Sequence, residues 1–599
     1  MATPRSMGPA GAGEHEAPKV NSNRLDVGVQ PLGVASRSGL QVHGRNAKGL
    51  ASHASLAASK ASIATRQIMR AVHVEYEEKD QSYFDKRKLN NKSLGMIHLF
   101  VATYAVLSSG TGAGWWTGTT SAGWGTVLVC VAVMTVWMVS FGVVLSELMT
   151  MLPYIGGLAT YSRAAFGPYV GYFIGQCELA EYTIFIATNV NAVASDLNSL
   201  AGLSSSFVPL WWFIVFGVLF LIMCMKNQYY FSTFGIITFI SITFTLSLTL
   251  IQLGSADPSR WAMKDFFDNT YNYNVTANGY VPYDYNQALF PAGASGFIST
   301  LPFIFGDFQG LEVLPLLAEE SRNFEKDGPR AMFLTIVIFQ LVYWICVLVT
   351  PTLPPGLFVM QYSWDPIVLT FVAWLGADPE GALSNYLYIF FPIIGQLAAC
   401  MSLTLAFTRL NFAMSRSGLM PQYLSLTEVP FKKESLPWAA FLFSIVTTMF
   451  VILISYFAES NQTLENITLA LGDAGFYYLT IMYGMTGVSF LYLRHICPNV
   501  KRPFKSSLGP LCAVLVIVGC IVLFVFLCYT ASARVALALV AGKLVIGMIH
   551  FYFCHRKHLV LSEEEKFIAE NMGQQVSMNI LPIMEEHSRA ESQKNLPQT

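Results

Sequence analysis

Residues 302–315 read PFIFGDFQGLEVLP and lie inside an apolar run that extends over 294–317. The run is long enough to cross the roughly 30 Å hydrocarbon core of a bilayer as a helix, yet it carries two prolines, two glycines and two acids. Proline removes a backbone donor, and glycine costs about 1 kcal/mol relative to alanine in a helix. Unwound backbone at membrane depth is tolerated only where it lines a cavity or is buried in protein. The stretch therefore predicts a broken membrane helix beside a polar site.

A second broken helix is predicted near residue 110. Residues 108–114 read SSGTGAG within the apolar run 94–118, so three glycines fall within five positions. The two breaks lie in the first and the sixth apolar runs, as expected when a unit of five helices occurs twice in opposite orientations. Interrupted helices at matching positions of two halves are the best sequence pointer to a transporter's binding site. Close helix packing through small residues is the alternative, but it does not explain the paired positions or the acids.

The other apolar runs complete the predicted architecture. Because lipid cannot satisfy backbone amides, runs of this length are expected to be helices. We predict an all-α integral membrane protein with twelve transmembrane helices, in which two repeats occupy about 94–253 and 294–493 and two extra helices occupy about 508–554 of a domain over 90–555. The predicted helices are 94–118, 122–151, 168–196, 207–225, 229–253, 294–317, 331–352, 384–412, 437–457, 465–493, 508–529 and 533–554.

Composition excludes most other classes of protein. Of the 599 residues 53% are apolar and only 12% are charged, whereas a soluble domain carries about 25% charged residues. A net charge of −1 gives no support to nucleic-acid binding. The ten cysteines form no CxxC pair, so neither a metal site nor a disulfide framework is indicated. The sequence has no P-loop and no HExxH motif, which argues against ATP-driven pumping and against an enzyme.

Basic residues set the predicted orientation. With a cytosolic amino terminus, nineteen Lys and Arg residues fall in inner loops and three in outer loops. We expect a plasma-membrane protein with both termini in the cytosol, a disordered tail over 1–85 and a solvated tail over 559–599. Three sequons then lie outside as predicted glycosylation sites, at Asn274, Asn461 and Asn466.

Five motifs resemble those of the amino acid–polyamine–organocation superfamily, and most closely those of its amino acid and ethanolamine permease group. They occur in order and at fitting spacing over roughly residues 90–530. The resemblance implies the five-plus-five inverted-repeat fold of the sodium-coupled leucine transporters and secondary transport by alternating access. One motif departs from the group, because Ser146 stands where alanine is usual. The motifs are SGTGAGW at 109–115, SELMTMLPYIGGLATYSRAAFGPYVGYFIGQCELAEY at 146–182, GLEVLPLLAEESRNFEKDGPRA at 310–331, FTRLNFAMSRSGLMP at 407–421 and PNVKRPFK at 498–505.

The two breaks predict a site for a small zwitterion or amine. The half-helix that begins after Gly112–Gly114 would present free N–H groups and a positive dipole end to a carboxylate. The break near Asp307 would offer carbonyls and an acid to an ammonium group. We therefore expect a bilayer-embedded permease for an amino acid or small amine, without a cofactor or metal. The predicted substrate-binding residues are Ser109, Gly110, Thr111, Gly112, Gly114, Phe305, Gly306, Asp307 and Phe308.

Three further acids are predicted to serve in gating or proton coupling. A carboxylate at membrane depth costs about 2.5–3.5 kcal/mol and normally faces the bundle interior. The resemblance implies that Glu312 corresponds to a glutamate of span six that is associated with gating and proton response. Glu178 and Glu181 are three residues apart, so they share one face of span three. A purely structural hydrogen-bond cluster with Tyr182 or Asn189 is the alternative.

Several alternatives remain open at the level of sequence. Ser402 and Thr404 would supply hydroxyl ligands to sodium if sodium and not a proton drove transport, although such hydroxyls often bond to the backbone instead. A non-transporting nutrient receptor on the same fold, or a permease specific for polyamines or ethanolamine, fits the same motifs. Whether an accessory subunit is needed stays open. A group of charges predicts either an inner gate or helix caps, at Glu147, Arg163, Glu319, Glu320, Arg322, Asp327 and Arg330.

Overall fold

The computed structural model describes residues 76–571, except 78, 80, 88, 90–91, 111–113, 226, 258–288, 291, 357–364, 379–380, 428–435, 460–461, 531 and 569–570. These residues form mainly α-helices, here numbered in chain order. Helices α1 to α8 are Gln81–Asp85, Met96–Gly110, Gly114–Ala122, Trp124–Met151, Gly157–Phe166, Pro168–Leu200, Val208–Cys224 and Asn227–Leu250. Helices α9 to α16 are Gly293–Asp307, Phe324–Val349, Pro366–Trp374, Ala382–Arg416, Trp438–Glu459, Gln462–Ile496, Gly509–Leu527 and Ala533–His550.

Within the described ranges, nine helical segments have the length and apolar composition needed to cross a membrane. Two more helices, α6 with 33 residues and α14 with 35, are long but carry acids within their length. Helix α2 is apolar and shorter. The nine segments are Trp124–Met151, Ser205–Cys224, Tyr229–Ser255, Gly293–Glu320, Phe324–Thr352, Ile389–Arg416, Trp438–Ala458, Gly509–Leu527 and Ala533–His555.

The first predicted break falls between α2 and α3. Helix α2 ends at Gly110 and α3 begins at Gly114. Ser109 and Gly110 therefore form the last positions of α2, while the predicted site residues Thr111 and Gly112 lie outside the described residues. Residues 111–113, at which the break in 94–118 was predicted, lie outside the described residues, so this break remains a prediction.

The second break lies later than the composition suggested. Helix α9 continues through Pro302 and ends at Asp307, after which residues 308–310 turn and a 3₁₀ helix runs over Leu311–Glu320. Gly310 has φ +120°, a conformation that L side chains rarely adopt. The change of direction is therefore made at this glycine, whereas Phe305 and Gly306 remain helical.

Small residues bring α3 and α9 into close contact. A Cβ atom added to Gly296 would lie 2.7 Å from the Cβ of Ala122, and one added to Gly118 would overlap the side chain of Thr300. Glycine-mediated helix packing is therefore found at Gly118 and Gly296. As an alternative to a helix break, we had expected such packing at the SSGTGAG stretch, which precedes these positions.

The ordered domain is longer at both ends than the predicted boundaries. Strand β1 (Tyr76–Glu77) pairs in parallel with β2 (Leu559–Val560). Leu559 and Val560 are buried, so residues 76–85 and 559–568 form part of the domain and differ from the disordered and solvated tails that we expected there. Two buried residues are too short a run to resemble a core element in the sequence.

The first and the last described segments of the chain lie on one face of the helical domain, here called the terminal face. Main-chain bonds join Leu94 to Glu320 and Arg322, and an ion pair joins Arg416 to Glu319. The main-chain N–H of Val560 donates to the carbonyl of Ser417. The terminal face thus gathers the segments 76–94, 152–168, 319–330, 409–427, 494–508 and 555–568, most of which were predicted as inner loops.

The predicted glycosylation sites cannot be placed as a group. Asn274 and Asn461 lie outside the described residues. Asn466 falls near the start of α14, and its side chain is not among those described. All three remain predictions.

Candidate functional site

The end of α2 lies beside the break that follows α9. A Cβ atom added to Gly310, in the turn after α9, would lie 2.8 Å from the Cβ of Val106 in the last turns of α2. Helix α12 runs along the same part of α2, because a Cβ on Gly395 would lie 3.2 Å from the carbonyl oxygen of Ser108. The ends of α2 and α9 and the middle of α12 therefore meet at one place in the bundle interior.

Asp307 faces α10. Its Oδ2 accepts a hydrogen bond of 2.7 Å from the hydroxyl of Tyr343. The next residue, Phe308, packs edge-on against Phe339 and Tyr343, with ring centroids 5.2 and 5.1 Å apart. The carboxylate is 5% exposed. The predicted ammonium-binding acid is therefore held in a polar contact that the sequence analysis missed, because a tyrosine in an apolar run looks like a packing residue.

Phe305 and Gly306 face other helices than Asp307 does. The ring of Phe305 lies edge-on to Trp137 of α4 at 5.3 Å and to Tyr483 of α14 at 6.0 Å. A Cβ atom on Gly306 would lie 2.6 Å from the ring of Phe476. The last turn of α9 is thus enclosed by aromatic rings of α4 and α14, and glycine is required at 306 for α14 to approach this closely.

Glu312 stands at the start of the 3₁₀ helix and is fully buried. Its Oε2 accepts from the main-chain N–H of Gly310 at 3.0 Å and from the hydroxyl of Tyr483 at 2.5 Å. The carboxyl group therefore joins the break in α9 to α14. Tyr483 was not predicted, and a lone tyrosine in an apolar helix gives little signal for such a role.

Glu178 and Glu181 are fully buried on one face of α6, as their spacing predicted. The Tyr182 hydroxyl donates to Glu178 at 3.1 Å, and the main-chain N–H of Ala159, in the first turn of α5, also donates to this carboxyl group. Neither oxygen of Glu181 has a hydrogen-bond partner among the described residues. The contact with Tyr182 is part of the structural hydrogen-bond cluster that we considered as the alternative, but that cluster does not account for Glu181.

The three buried acids form one electrostatic cluster. Glu181 interacts with both Glu312 and Glu178, and Glu178 interacts with Glu312. Like charges in a low-dielectric interior repel strongly, so the cluster cannot carry three negative charges without a compensating cation. It is therefore suited to holding and releasing protons.

The two predicted sodium ligands differ in their contacts. Ser402 donates at 2.5 Å to the carbonyl oxygen of Ala102 in α2, while the hydroxyl of Thr404 has no hydrogen-bond partner in the described part of the chain. Ser402 thus bonds to the backbone, as the alternative held. Among the described residues, no group of three or more His, Cys, Asp or Glu side chains is arranged to hold a metal ion.

Ion pairs close the terminal face below the acid cluster. Arg409 of α12 pairs with Glu320 at 2.6 Å, and both side chains are almost fully buried. Arg416, two turns later, pairs with Glu319 at 2.5 Å and is more exposed. These two pairs join the end of the 3₁₀ helix to the end of α12.

Comparison with known proteins identifies the family. A family model described as Amino acid permease matches residues 105–574 of the chain. The chain belongs to the amino acid permease family. Permeases of this family are membrane transporters and not enzymes, and this permease is accordingly a multi-pass integral membrane protein.

Individual relatives of this permease are distant. It is 23% identical over 385 residues to Cationic amino acid transporter 3, mitochondrial, of Arabidopsis thaliana, which covers 61% of this chain and 56% of the relative. It is 24% identical over 282 residues to Branched-chain amino acid permease BcaP of Bacillus subtilis, covering 46% and 54%. It is 24% identical over 382 residues to Lysine-specific permease LysP of Lactococcus lactis, covering 62% and 71%. The chain spans about half the length of the first two.

Proposed function

We propose that this permease is a secondary active transporter that moves an amino acid or small amine by alternating access, driven by protons. The observation that carries the proposal is the meeting of the helix break at Gly310 with the end of α2, beside three buried, interacting acids. Main-chain groups freed at the breaks would bind the polar ends of the substrate. The acid cluster contacts the break after α9 through the side chain of Glu312, and it would exchange the coupling proton.

The proposed topology has twelve spans. The nine apolar segments are joined by α2 with α3 as one interrupted span, by α6 and by α14. Spans one and six then carry the breaks, and the two repeats of five run over about 94–253 and 294–493, followed by α15 and α16. The basic segments gathered on the terminal face support a cytosolic position for that face, and the plasma membrane is the proposed location.

The proposed substrate is an amino acid with a free carboxylate and ammonium group. The carboxylate would meet the N–H groups that begin α3, and the ammonium group would meet carbonyls at the end of α9. The names of the relatives include cationic, lysine-specific and branched-chain amino acid transport. The proposal therefore leaves open which substrate side chain this permease selects. Asp307 near the break favours a cationic substrate, although its bond to Tyr343 reduces the charge it presents.

Proton coupling is proposed at Glu312, Glu178 and Glu181. Protonation of one member relieves repulsion within the cluster, and Glu312 contacts the turn at Gly310 directly. A change of charge at Glu312 would therefore alter the hydrogen bond that fixes the turn. Alternating access requires that such a local change favours one arrangement of the helices over another.

Flux into reconstituted vesicles tests the proposal. Labelled lysine, arginine, leucine, ethanolamine and putrescine would be offered under an inwardly directed proton gradient without sodium, and under a sodium gradient without a pH difference. We expect accumulation of at least one amino acid with the proton gradient alone. Accumulation that requires sodium and ignores pH would overturn proton coupling, and saturable binding without flux would overturn transport.

A matched pair of variants locates the coupling group. Glu312→Gln should abolish gradient-driven accumulation while retaining exchange of substrate across the membrane. Glu325→Gln removes an equally charged but exposed side chain in the first turn of α10, and it should behave as the unaltered chain. Equal accumulation by the two variants would exclude Glu312 as the coupling site.

A further inference from the structure

The two ends of the described chain are bonded to each other. Tyr76 and Glu77 pair with Leu559 and Val560 in parallel register, and His558 pairs with Glu77 at 2.5 Å. We call residues 76–87 and 558–565 together the latch. The pairing joins segments that are about 480 residues apart, so it constrains the terminal face more than any local turn could.

One buried arginine holds the latch on the domain. Arg163 of α5 donates through Nε and Nη2 to the two carboxyl oxygens of Glu565, each at 2.9 Å. The side chain of Arg163 is 1% exposed and that of Glu565 is 11% exposed. Two parallel charge-assisted bonds of this kind are among the strongest polar contacts in proteins. Gly171 of α6 makes room for the arginine, because a Cβ atom there would lie 2.5 Å from the Cβ of Arg163.

The same carboxylate also binds the amino-terminal half of the latch. The Tyr76 hydroxyl donates to Glu565 at 3.0 Å. Burial raises the pKa of Tyr76, so this hydroxyl keeps its proton and remains a donor. Ser562 and Glu565 cap each other across the start of the turn at 563–568, with Ser562 N–H donating to Oε2 at 3.3 Å. Glu565 is therefore a point at which both halves of the latch and α5 meet, as is Val560, which pairs with Glu77 and whose carbonyl accepts from Arg163 at 3.3 Å.

The latch is anchored on the end of α12 as well. The Tyr83 hydroxyl donates to the carbonyl of Arg416 at 2.9 Å, and Arg87 donates to Ser425 at 2.8 Å. On the other side, Val560 N–H donates to the carbonyl of Ser417 at 3.0 Å. The latch thus spans from α5 to the end of α12.

A cavity of about 70 Å³ lies beneath the latch. Its walls come from the latch, from the start of α5 and from the end of α12, and Arg163, Thr160 and Ser417 line it. The ion pairs of Arg409 and Arg416 with the 3₁₀ helix adjoin it through α12. A path from the terminal face between α5 and α12 would have to pass the latch.

We propose that the latch is a releasable cover of the terminal face, held shut by the Glu565–Arg163 pair, and that its release admits solvent between α5 and α12. The opening itself does not depend on the substrate; its effect on flux rests on the proposed transport function. Glu564 is buried beside the pair and interacts with both Arg163 and Glu565. Through the latch, the first and last described segments of the chain would control access to one side of the permease.

Thiol labelling in the full chain tests the cover directly. Ser417→Cys places a nearly isosteric thiol in the cavity, and the chain without this substitution gives the background of its exposed Cys528 and Cys554. Adding Glu565→Gln should raise the labelling rate at 417 about tenfold, since loss of a charged hydrogen bond changes an opening equilibrium by about that factor. Glu325→Gln removes an exposed charge in the first turn of α10, outside the latch and the cavity, and should leave the rate unchanged. Equal rates in the two variants would overturn the proposal.

A charge exchange separates release from misfolding. Arg163→Glu and Glu565→Arg together should return the labelling rate at 417 toward that of the unaltered pair, while each alone raises it. Rates in the double variant as high as in the single ones would also overturn the proposal. Hydrogen exchange at Val560 gives the same comparison without a thiol, because this N–H is protected only while the latch is closed.

A crosslink supplies the opposite change. Paired strands lie about 4.8 Å apart, within the Cα separation of about 4.4–6.8 Å that disulfides require, so Glu77→Cys with Val560→Cys should crosslink on oxidation. We expect the oxidised chain to lose flux at least tenfold and to regain it with reductant; undiminished flux with complete crosslinking would overturn the cover. An absence of flux in the unaltered chain would refute the proposed function instead, and labelling at 417 would still decide on the latch.

Discussion

At the scale of single residues, the structure gives three of the buried carboxylates a different tyrosine partner each. Asp307 binds Tyr343, Glu312 binds Tyr483 and a main-chain N–H, and Glu178 binds Tyr182. The repeated use of tyrosine hydroxyls is physically reasonable, because a tyrosine stabilises a carboxylate without adding a second charge to the interior. Variants of the Asp307–Tyr343 pair can therefore test substrate specificity, and variants of the Glu312–Tyr483 pair can test proton coupling.

The Asp307–Tyr343 pair yields the first prediction. If the Asp307 carboxylate contacts a cationic side chain of the substrate, Asp307→Asn should lower uptake of lysine relative to leucine about tenfold or more, since a charged hydrogen bond is lost. Tyr343→Phe leaves the carboxylate and removes its hydroxyl partner, so it should keep or increase the preference for lysine. Competition between the two substrates in vesicles measures the ratio. If both variants lower it equally, Asp307 only supports Tyr343.

The Glu312–Tyr483 bond yields the second prediction. Tyr483→Phe removes one of the two hydrogen-bond donors to Glu312 and should destabilise the ionised form of this carboxyl group. We therefore expect the pH at which proton-driven uptake falls to half to move upward, with substrate affinity nearly unchanged. Tyr477→Phe, on the same helix but bonded at 3.7 Å to Cys528, is the matched control. A pH profile that does not move would remove Tyr483 from coupling.

The acids of the site could be predicted from the sequence, but their partners could not. Glu178, Glu181 and Glu312 are conspicuous because charge in an apolar run needs a reason. Tyr343 and Tyr483 lie 36 and 171 residues from the acids they bind, and tyrosine is common in apolar helices. Nothing in the local pattern around either tyrosine distinguishes it from a packing residue.

At the scale of elements, glycines carry two distinct functions that the sequence does not separate. Gly310 has a positive φ and turns the chain after α9, while Gly118 and Gly296 allow α3 and α9 to touch. The composition of 302–315 predicted a break and its place to within a few residues. It did not predict that Pro302 stays inside α9, because the cost of one lost hydrogen bond is offset by packing that depends on α3 and α14.

The turn at Gly310 yields the third prediction. Gly310→Ala should lower the free energy of unfolding by about 1–3 kcal/mol, since an L residue is strained at this φ and its Cβ would meet Val106. Gly217→Ala lies in the middle of α7 with nothing within 4 Å of the added atom, so it should cost nothing and add up to about 1 kcal/mol of helix stability. Thermal or denaturant unfolding in detergent compares them; equal stabilities would show that Gly310 is not conformationally required.

At the scale of the whole molecule, the first and last described segments of the chain and the ends of several helices meet on the terminal face. Charge counting predicted that the basic loops lie on one side, and contacts among residues 319–322, 409–416 and 558–565 agree with that arrangement. The closure of this face by residues 76–87 and 558–565 was not predictable. A two-residue strand pair and one arginine–carboxylate pair leave no periodic signal, and their partners lie several hundred residues apart.

Two neighbouring ion pairs decide how firmly this face is closed. Arg409 and Glu320 are 4% and 2% exposed, whereas Arg416 and Glu319 are 22% and 23% exposed. Breaking a buried pair leaves a charge without compensation and costs about 3–5 kcal/mol, while an exposed pair contributes about 0–1 kcal/mol. The fourth prediction is that Glu320→Gln lowers the free energy of unfolding by a few kcal/mol and Glu319→Gln by less than about 1 kcal/mol. Because the two acids are adjacent in the chain, unfolding measured on both variants controls for local backbone effects. A larger loss of unfolding free energy from Glu319→Gln would show that the Arg416 pair, and not the Arg409 pair, contributes most to closing this face.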